Sequence, residues 1–240
     1  MTAGHLQGWL LLGLAATVAR ATEWFGANRT MVLGGAGAIV ALIVLMSAWS
    51  WWSGRAAAEA DTLLSAAMQT AESPIVPAPT VPGAQQQAGT FPTEQARTEA
   101  ALAAFQRVVD EYPDTTAGVA AQYHHAAALM AVGRYDEARQ GFEAAAGAAD
   151  IELFRATAQL GQAEAYIAAG QFDQGLPLLE TLAANRDGLL PIDGVLMQLA
   201  RGYQKAGRAA EARTAFRRIV DEFPDSLYVT EAQTELTKLG

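Results

Sequence analysis

The sequence predicts an all-α protein, with one N-terminal transmembrane helix followed by an α-solenoid of about three full helical hairpins and flanking cap helices. Three observations carry this expectation. GRYDEA, GQFDQG and GRAAEA begin at Gly133, Gly170 and Gly207, 37 residues apart each time. FQRVVDEYPD at Phe105 returns as FRRIVDEFPD at Phe216, 111 residues or three such periods later. MVLGGAGAIVALIVLMSAWSWW, Met31 to Trp52, runs 22 residues without a charge. A fixed period of this length marks units that bury their apolar faces only by stacking on one another.

Taken in chain order, residues 1–30 form an N-terminal cytoplasmic or interfacial segment. Its apolar run, Trp9 to Val18, is short for a crossing and reads as an interfacial helix rather than a second span. Residues 1–8 contain no Lys or Arg, so the basic start of a signal peptide is missing. Residues 31–52 are the transmembrane helix: 22 helical residues rise ~33 Å, enough for a hydrocarbon core of ~30 Å. Trp49, Trp51 and Trp52 cluster at its end, where amphipathic rings favour the headgroup layer. Arg20 and Arg29 precede the span, and Glu59 and Asp61 follow it soon after. The positive-inside bias therefore sets the N-terminus in the cytoplasm and everything after Trp52 outside it.

Residues 53–72 are rich in helix formers and extend the membrane helix outward. Residues 73–92 hold five prolines and read as an extended, partly disordered linker. Residues 93–240 form the repeat domain. Aligned on the three glycines, small residues Ala126, Ala163 and Ala200 stand seven positions earlier. Leu129, Tyr166 and Tyr203 stand four earlier, Ala138, Gly175 and Ala212 five later, and Phe142, Leu179 and Phe216 nine later. Small residues let two helices approach, large ones fill the space between pairs, and the glycine takes the left-handed backbone that ends the first helix. Phe105 opens an additional second-helix element at about Thr93 to Glu111. Its first helix is either Arg55–Ala71, with the proline stretch inserted between, or is missing. Asp114/Thr115 and Asp225/Ser226 offer N-caps, and SLYVTEAQTELTKL is a closing helix.

The order small residue, aromatic, Gly, Ala, Phe, Pro resembles the tetratricopeptide repeat over about Thr93 to Gly240. The departures are Gln122 and His125 at early apolar positions, Pro177 inside a second helix, and a period longer than the family's usual 34. The resemblance implies a concave face built from first helices, carrying Tyr123, Met130, Leu160, Glu164, Ile167, Met197, Arg201 and Gln204 as a partner-binding groove. Three of these, Leu160, Ile167 and Met197, stand equally well as inter-hairpin core.

Several chemistries find no support. Cys is absent, which removes disulfides, thiolate metal sites and a lipid-modified N-terminal Cys. His124 and His125 are adjacent and point about 100° apart on a helix, which rules out joint chelation. The acids of VDEYPD and VDEFPD lie at helix ends rather than in a calcium loop. No catalytic residue, metal site or cofactor is expected, and the chain does not read as an enzyme. Residues 56–240 carry a net charge of −11 against +2 for residues 1–55, which disfavours nucleic acid as a partner. Within the span, Gly34 with Ala38 and Gly37 with Ala41 make small-xxx-small pairs suited to helix packing in lipid.

The stretch from ATEWFGANR through WWSGRAAAEADTLLSAAM is similar to the start of the ancillary subunit of the bacterial SecYEG translocon, the YfgM-like family. That resemblance implies a non-enzymatic inner-membrane protein whose periplasmic repeat domain offers a chaperone-like or docking surface. Its partners would be a membrane protein complex and exported polypeptides. The proline insertion and the N-terminal apolar run depart from the family. Two other readings stay open: an auxiliary subunit of another membrane complex, respiratory or photosynthetic, or a cell-envelope coordinator.

Overall fold

The structure is a computed structural model that describes residues 29–79 and 85–240. The expected interfacial helix Trp9–Val18 and the Arg20 flank lie outside the described residues. The chain divides into two compact units, one ending at Arg55 and the other running Ala56–Gly240.

Nine helices occur among the described residues: α1 Arg29–Glu72, α2 Glu94–Glu111, α3 Thr116–Ala131, α4 Tyr135–Ala148, α5 Glu152–Ala168, α6 Phe172–Ala184, α7 Ile192–Lys205, α8 Ala209–Glu222 and α9 Val229–Leu239. The part of α1 up to Arg55 is apolar on every side. Its Leu, Ile, Val, Met and Trp side chains are exposed wherever described, and by length and composition it is able to cross a membrane. Trp49 and Trp52 meet edge to face with ring centroids 5.9 Å apart, and the Arg55 guanidinium lies 4.2 Å over the Trp51 ring.

The second unit begins earlier than residue 93. From Ala56 onward α1 packs on α2: Leu63, Leu64, Ala67, Met68 and Ala71 close over Ala101, Phe105 and Val108. Of the two alternatives for the hairpin preceding Gly133, the structure carries the first, with the proline-rich segment inserted between its helices. That segment is anchored at both ends. Ile75 and Phe91 form an isolated β-bridge, in which Val76 N–H donates to Phe91 O at 2.9 Å and Phe91 N–H donates to Pro74 O at 3.0 Å. Gln86 Nε2 donates to Val76 O at 2.9 Å. Thr93 then caps α2, its hydroxyl oxygen accepting from Ala96 N–H at 3.1 Å. The stack thus has four hairpins, α1/α2, α3/α4, α5/α6 and α7/α8, closed by α9.

The three turn glycines behave alike. Gly133, Gly170 and Gly207 have φ of 77°, 76° and 74°. At each, the glycine N–H donates back three residues, to Met130, Ile167 or Gln204 O. The next residue's N–H donates back five, to Leu129 O at 3.0 Å and to Tyr166 and Tyr203 O at 2.8 Å. This is a Schellman cap made three times, and it satisfies carbonyls that a helix end leaves orphaned. The aligned small residues Ala126, Ala163 and Ala200 are fully buried, as are Ala138 and Ala212 opposite them.

Two details differ from the sequence expectations. Thr115 caps α3 as expected, accepting from Gly118 N–H at 3.0 Å, whereas Ser226 does not cap α9. Its hydroxyl donates instead to Asp193 Oδ2 at 2.7 Å, and α9 starts later, at Val229. Pro177 does not break α6. Pro177 lacks the N–H that would donate to the Asp173 carbonyl, and both residues are exposed, on the solvent side of the helix.

Candidate binding face

The eight groove residues of the sequence analysis lie on α3, α5 and α7. Tyr123 on α3 is half-buried and wedged among rings, 5.3 Å from Phe142 and 5.6 Å from Phe154 between centroids. Burial pushes its phenol above the usual value, assisted by the Glu164 carboxylate. Met130 is half-buried against the cluster of Leu102, Ala126, Leu129 and Phe142. Leu160 is likewise half-buried, against the large cluster of the last two hairpins.

Ile167 and Met197 are only 7 % and 1 % exposed. They belong to the core rather than to an open groove, because close approach of α5, α6 and α7 covers them. Gly202 makes that approach possible: a Cβ there would lie 3.1 Å from Leu176 and 3.4 Å from Ile167. Arg201 and Gln204 are also engaged. The Arg201 guanidinium pairs with Glu231 at 2.6 Å, and Gln204 Nε2 donates to Glu235 Oε2 at 2.8 Å. The closing helix therefore occupies that end of the expected face.

Glu164 on α5 is half-buried. Its carboxyl is held above the ordinary carboxylate value by desolvation, only partly opposed by Lys205. Among the described residues it has no ion pair or side-chain hydrogen bond.

The other singled-out residues take structural places. His124 stacks on Phe105, centroids 5.5 Å apart and planes 20° from parallel, and burial lowers its pKa. His125 is also lowered, first by burial and then by the Arg134 charge. No group of three or more His, Asp or Glu able to hold a metal occurs among the described residues. Gly34 and Gly37 have nothing within 4 Å of an added Cβ, so their small-xxx-small faces stand without a neighbour among the described residues. A polar contact missed from sequence is that of the Tyr203 hydroxyl, which donates to Glu180 Oε1 at 2.5 Å. Desolvation and that carboxylate push its pKa up to about 12.

Exposed aliphatic side chains in the turns between hairpins, Ile151, Leu189 and Leu227, are a feature that the sequence expectations did not include. Their signal is an aliphatic residue one or two positions after an aspartate in the last three of the four turns, Asp150/Ile151, Asp187/Leu189 and Asp225/Leu227.

Comparison with known proteins places the fold. A solved structure of nearly identical TPR-like repeats from a Podosopora anserina kinesin light chain protein superposes with a TM-score of 0.53 at 23 % identity, covering 61 % of this chain and 78 % of that one. A tetratricopeptide repeat protein from Parabacteroides merdae ATCC 43184 is similar at 14 % identity and a TM-score of 0.48, covering 61 % of this chain and 55 % of that one. No curated protein matches the chain significantly. Repeats of this kind are typically non-enzymatic scaffolds that bind other proteins. A model of the family described as Tetratricopeptide repeat-like domain matches residues 22–239, and the chain belongs to that family.

Proposed function

We propose that this protein is a single-pass, membrane-anchored protein–protein interaction module without catalytic activity. In this reading the N-terminus lies in the cytoplasm of a bacterium and the repeat unit in the periplasm. One observation carries it: the described apolar side chains of α1 before Arg55 are exposed, whereas the repeat unit buries most of its own wholly or in part. Exposed apolar surface on that scale costs ~25 cal/mol per Å² in water and little in lipid. The expected span at residues 31–52 lies within this exposed part of α1. The Gly34/Ala38 and Gly37/Ala41 faces are then suited to packing on another membrane helix.

Within that frame the partner is the protein-export translocon, with the protein as an ancillary, chaperone-like subunit. Support comes from the resemblance of the ATEWFGANR to LLSAAM stretch to the YfgM-like family. The apolar run at Trp9–Val18 favours a second reading, an auxiliary or assembly subunit of a different membrane complex. Purification of the full chain from membranes in mild detergent, with mass spectrometry of the co-purifying subunits, separates them. Stoichiometric SecYEG subunits are expected, whereas respiratory or photosynthetic subunits in their place would overturn the translocon assignment.

A further inference from the structure

The turns that join one hairpin to the next share an edge of the stack. The first, between α2 and α3, and the second, between α4 and α5, wall a common cleft of about 390 Å³. Arg186 in the third turn pairs with Glu222 at the end of α8 at 2.7 Å, and Ser226 in the fourth reaches Asp193 at the start of α7. Each turn carries one exposed aspartate: Asp114, Asp150, Asp187 and Asp225. None of these four forms an ion pair among the described residues. Nearby arginines are engaged elsewhere, Arg155 with Glu152 and Ala149 O, and Arg186 with Glu222. Beside three of the aspartates stand Ile151, Leu189 and Leu227, exposed by 62 %, 58 % and 97 %. Scattered surface aliphatics are ordinary, but these three stand one in each of three consecutive inter-hairpin turns, 38 residues apart each time.

We infer that this edge is a docking surface for a polypeptide segment in which aliphatic side chains alternate with lysine or arginine. The cleft is lined by half-buried Val119 and Phe154 together with exposed Ile151, Asp114 and Asp150. An aliphatic side chain seated there leaves its basic neighbours beside the aspartates, and the same pairing recurs at Asp187/Leu189 and Asp225/Leu227. Charge selects against the alternatives: an anionic lipid surface is repelled, and a second copy would set one aspartate row against another. The inference rests on the reading of the repeat unit as a polypeptide-binding module and names a different face from the concave one.

The test uses the full chain in nanodiscs of zwitterionic lipid, with empty nanodiscs as the blank. The probe is a fluorescein-labelled 12-residue peptide of leucine, lysine and serine bearing a benzophenone group. Two control peptides replace lysine by glutamate or leucine by serine. Saturable binding of the leucine–lysine peptide alone is expected, with crosslinks mapping to residues 149–154, 185–191 and 223–228. The triple variant Ile151→Ser, Leu189→Ser, Leu227→Ser should weaken binding at least tenfold with an unchanged melting temperature, since all three side chains are exposed. Equal binding of the glutamate peptide, an unaffected triple variant, or no saturable binding would overturn the inference. Crosslinks confined to residues 123–130, 160–167 and 197–204 would overturn the edge while leaving the polypeptide-binding reading intact. That reading is judged separately, by whether membrane subunits co-purify.

Discussion

The Tyr112 hydroxyl donates a hydrogen bond of 3.0 Å to Glu59 Oε2, joining residues 53 positions apart. It ties the end of α2 to the stretch of α1 just beyond Arg55, and the apolar contacts around Phe105 follow the same seam. Residues 56–72 are thus the first helix of a fourth hairpin. A fragment beginning at residue 93 should therefore melt well below one beginning at residue 56, because Ala101, Phe105 and Val108 lose their cover. Each large apolar side chain uncovered forfeits ~1.5–3 kcal/mol. Thermal unfolding of the two fragments checks this, and equal midpoints would show that the hairpin adds no stability.

Ala200 is fully buried where α7 meets its neighbours, while Arg208 is an exposed turn residue paired with Glu211 at 2.9 Å. Ala200→Leu should overpack that contact and cost ~1–3 kcal/mol. Arg208→Ala should change stability by less than ~0.5 kcal/mol, since exposed ion pairs contribute little. Urea denaturation of both variants reads the difference, and equal shifts would break the repeat alignment.

Met197 is core, which changes what its replacement reports. Met197→Ala should cost ~2–5 kcal/mol through the cavity it leaves. A near-native midpoint would return Met197 to the surface and restore it as a groove anchor.

The hairpin rhythm was legible because each of its signals is local. Gly133, Gly170 and Gly207 announce a left-handed backbone, and Ala126, Ala163 and Ala200 follow from the same register. The first hairpin was ambiguous because the proline-rich insertion breaks that register between Ala67 and Ala101. The groove was legible as a set of positions but not as a surface. Nothing in the spacing says that Gly202 brings helices close enough to bury Ile167 and Met197, or that Glu231 and Glu235 fold back onto Arg201 and Gln204. Those are consequences of how far apart the helices settle and where the last one lies.

Glu164 gives a pH signature. Desolvation raises its pKa in the folded state, so folding favours the protonated form. Its penalty is absent below the unfolded-state value and grows as pH rises through the folded one. Glu164→Gln should therefore raise the melting temperature at neutral pH, with the gain fading as pH falls toward the ordinary carboxylate range. A gain that persists unchanged at acid pH would assign the effect to something other than ionisation.

The orientation of the repeat unit bears most directly on the proposed role, because an acidic docking edge serves exported chains only if it lies outside the cytoplasm. Paired fusions at Gly240, alkaline phosphatase in one and a cytoplasm-dependent fluorescent protein in the other, measure it in a bacterial host. Phosphatase activity with a dark fluorescent fusion is expected. A bright fluorescent fusion with inactive phosphatase would contradict the topology, and with it the role in protein export.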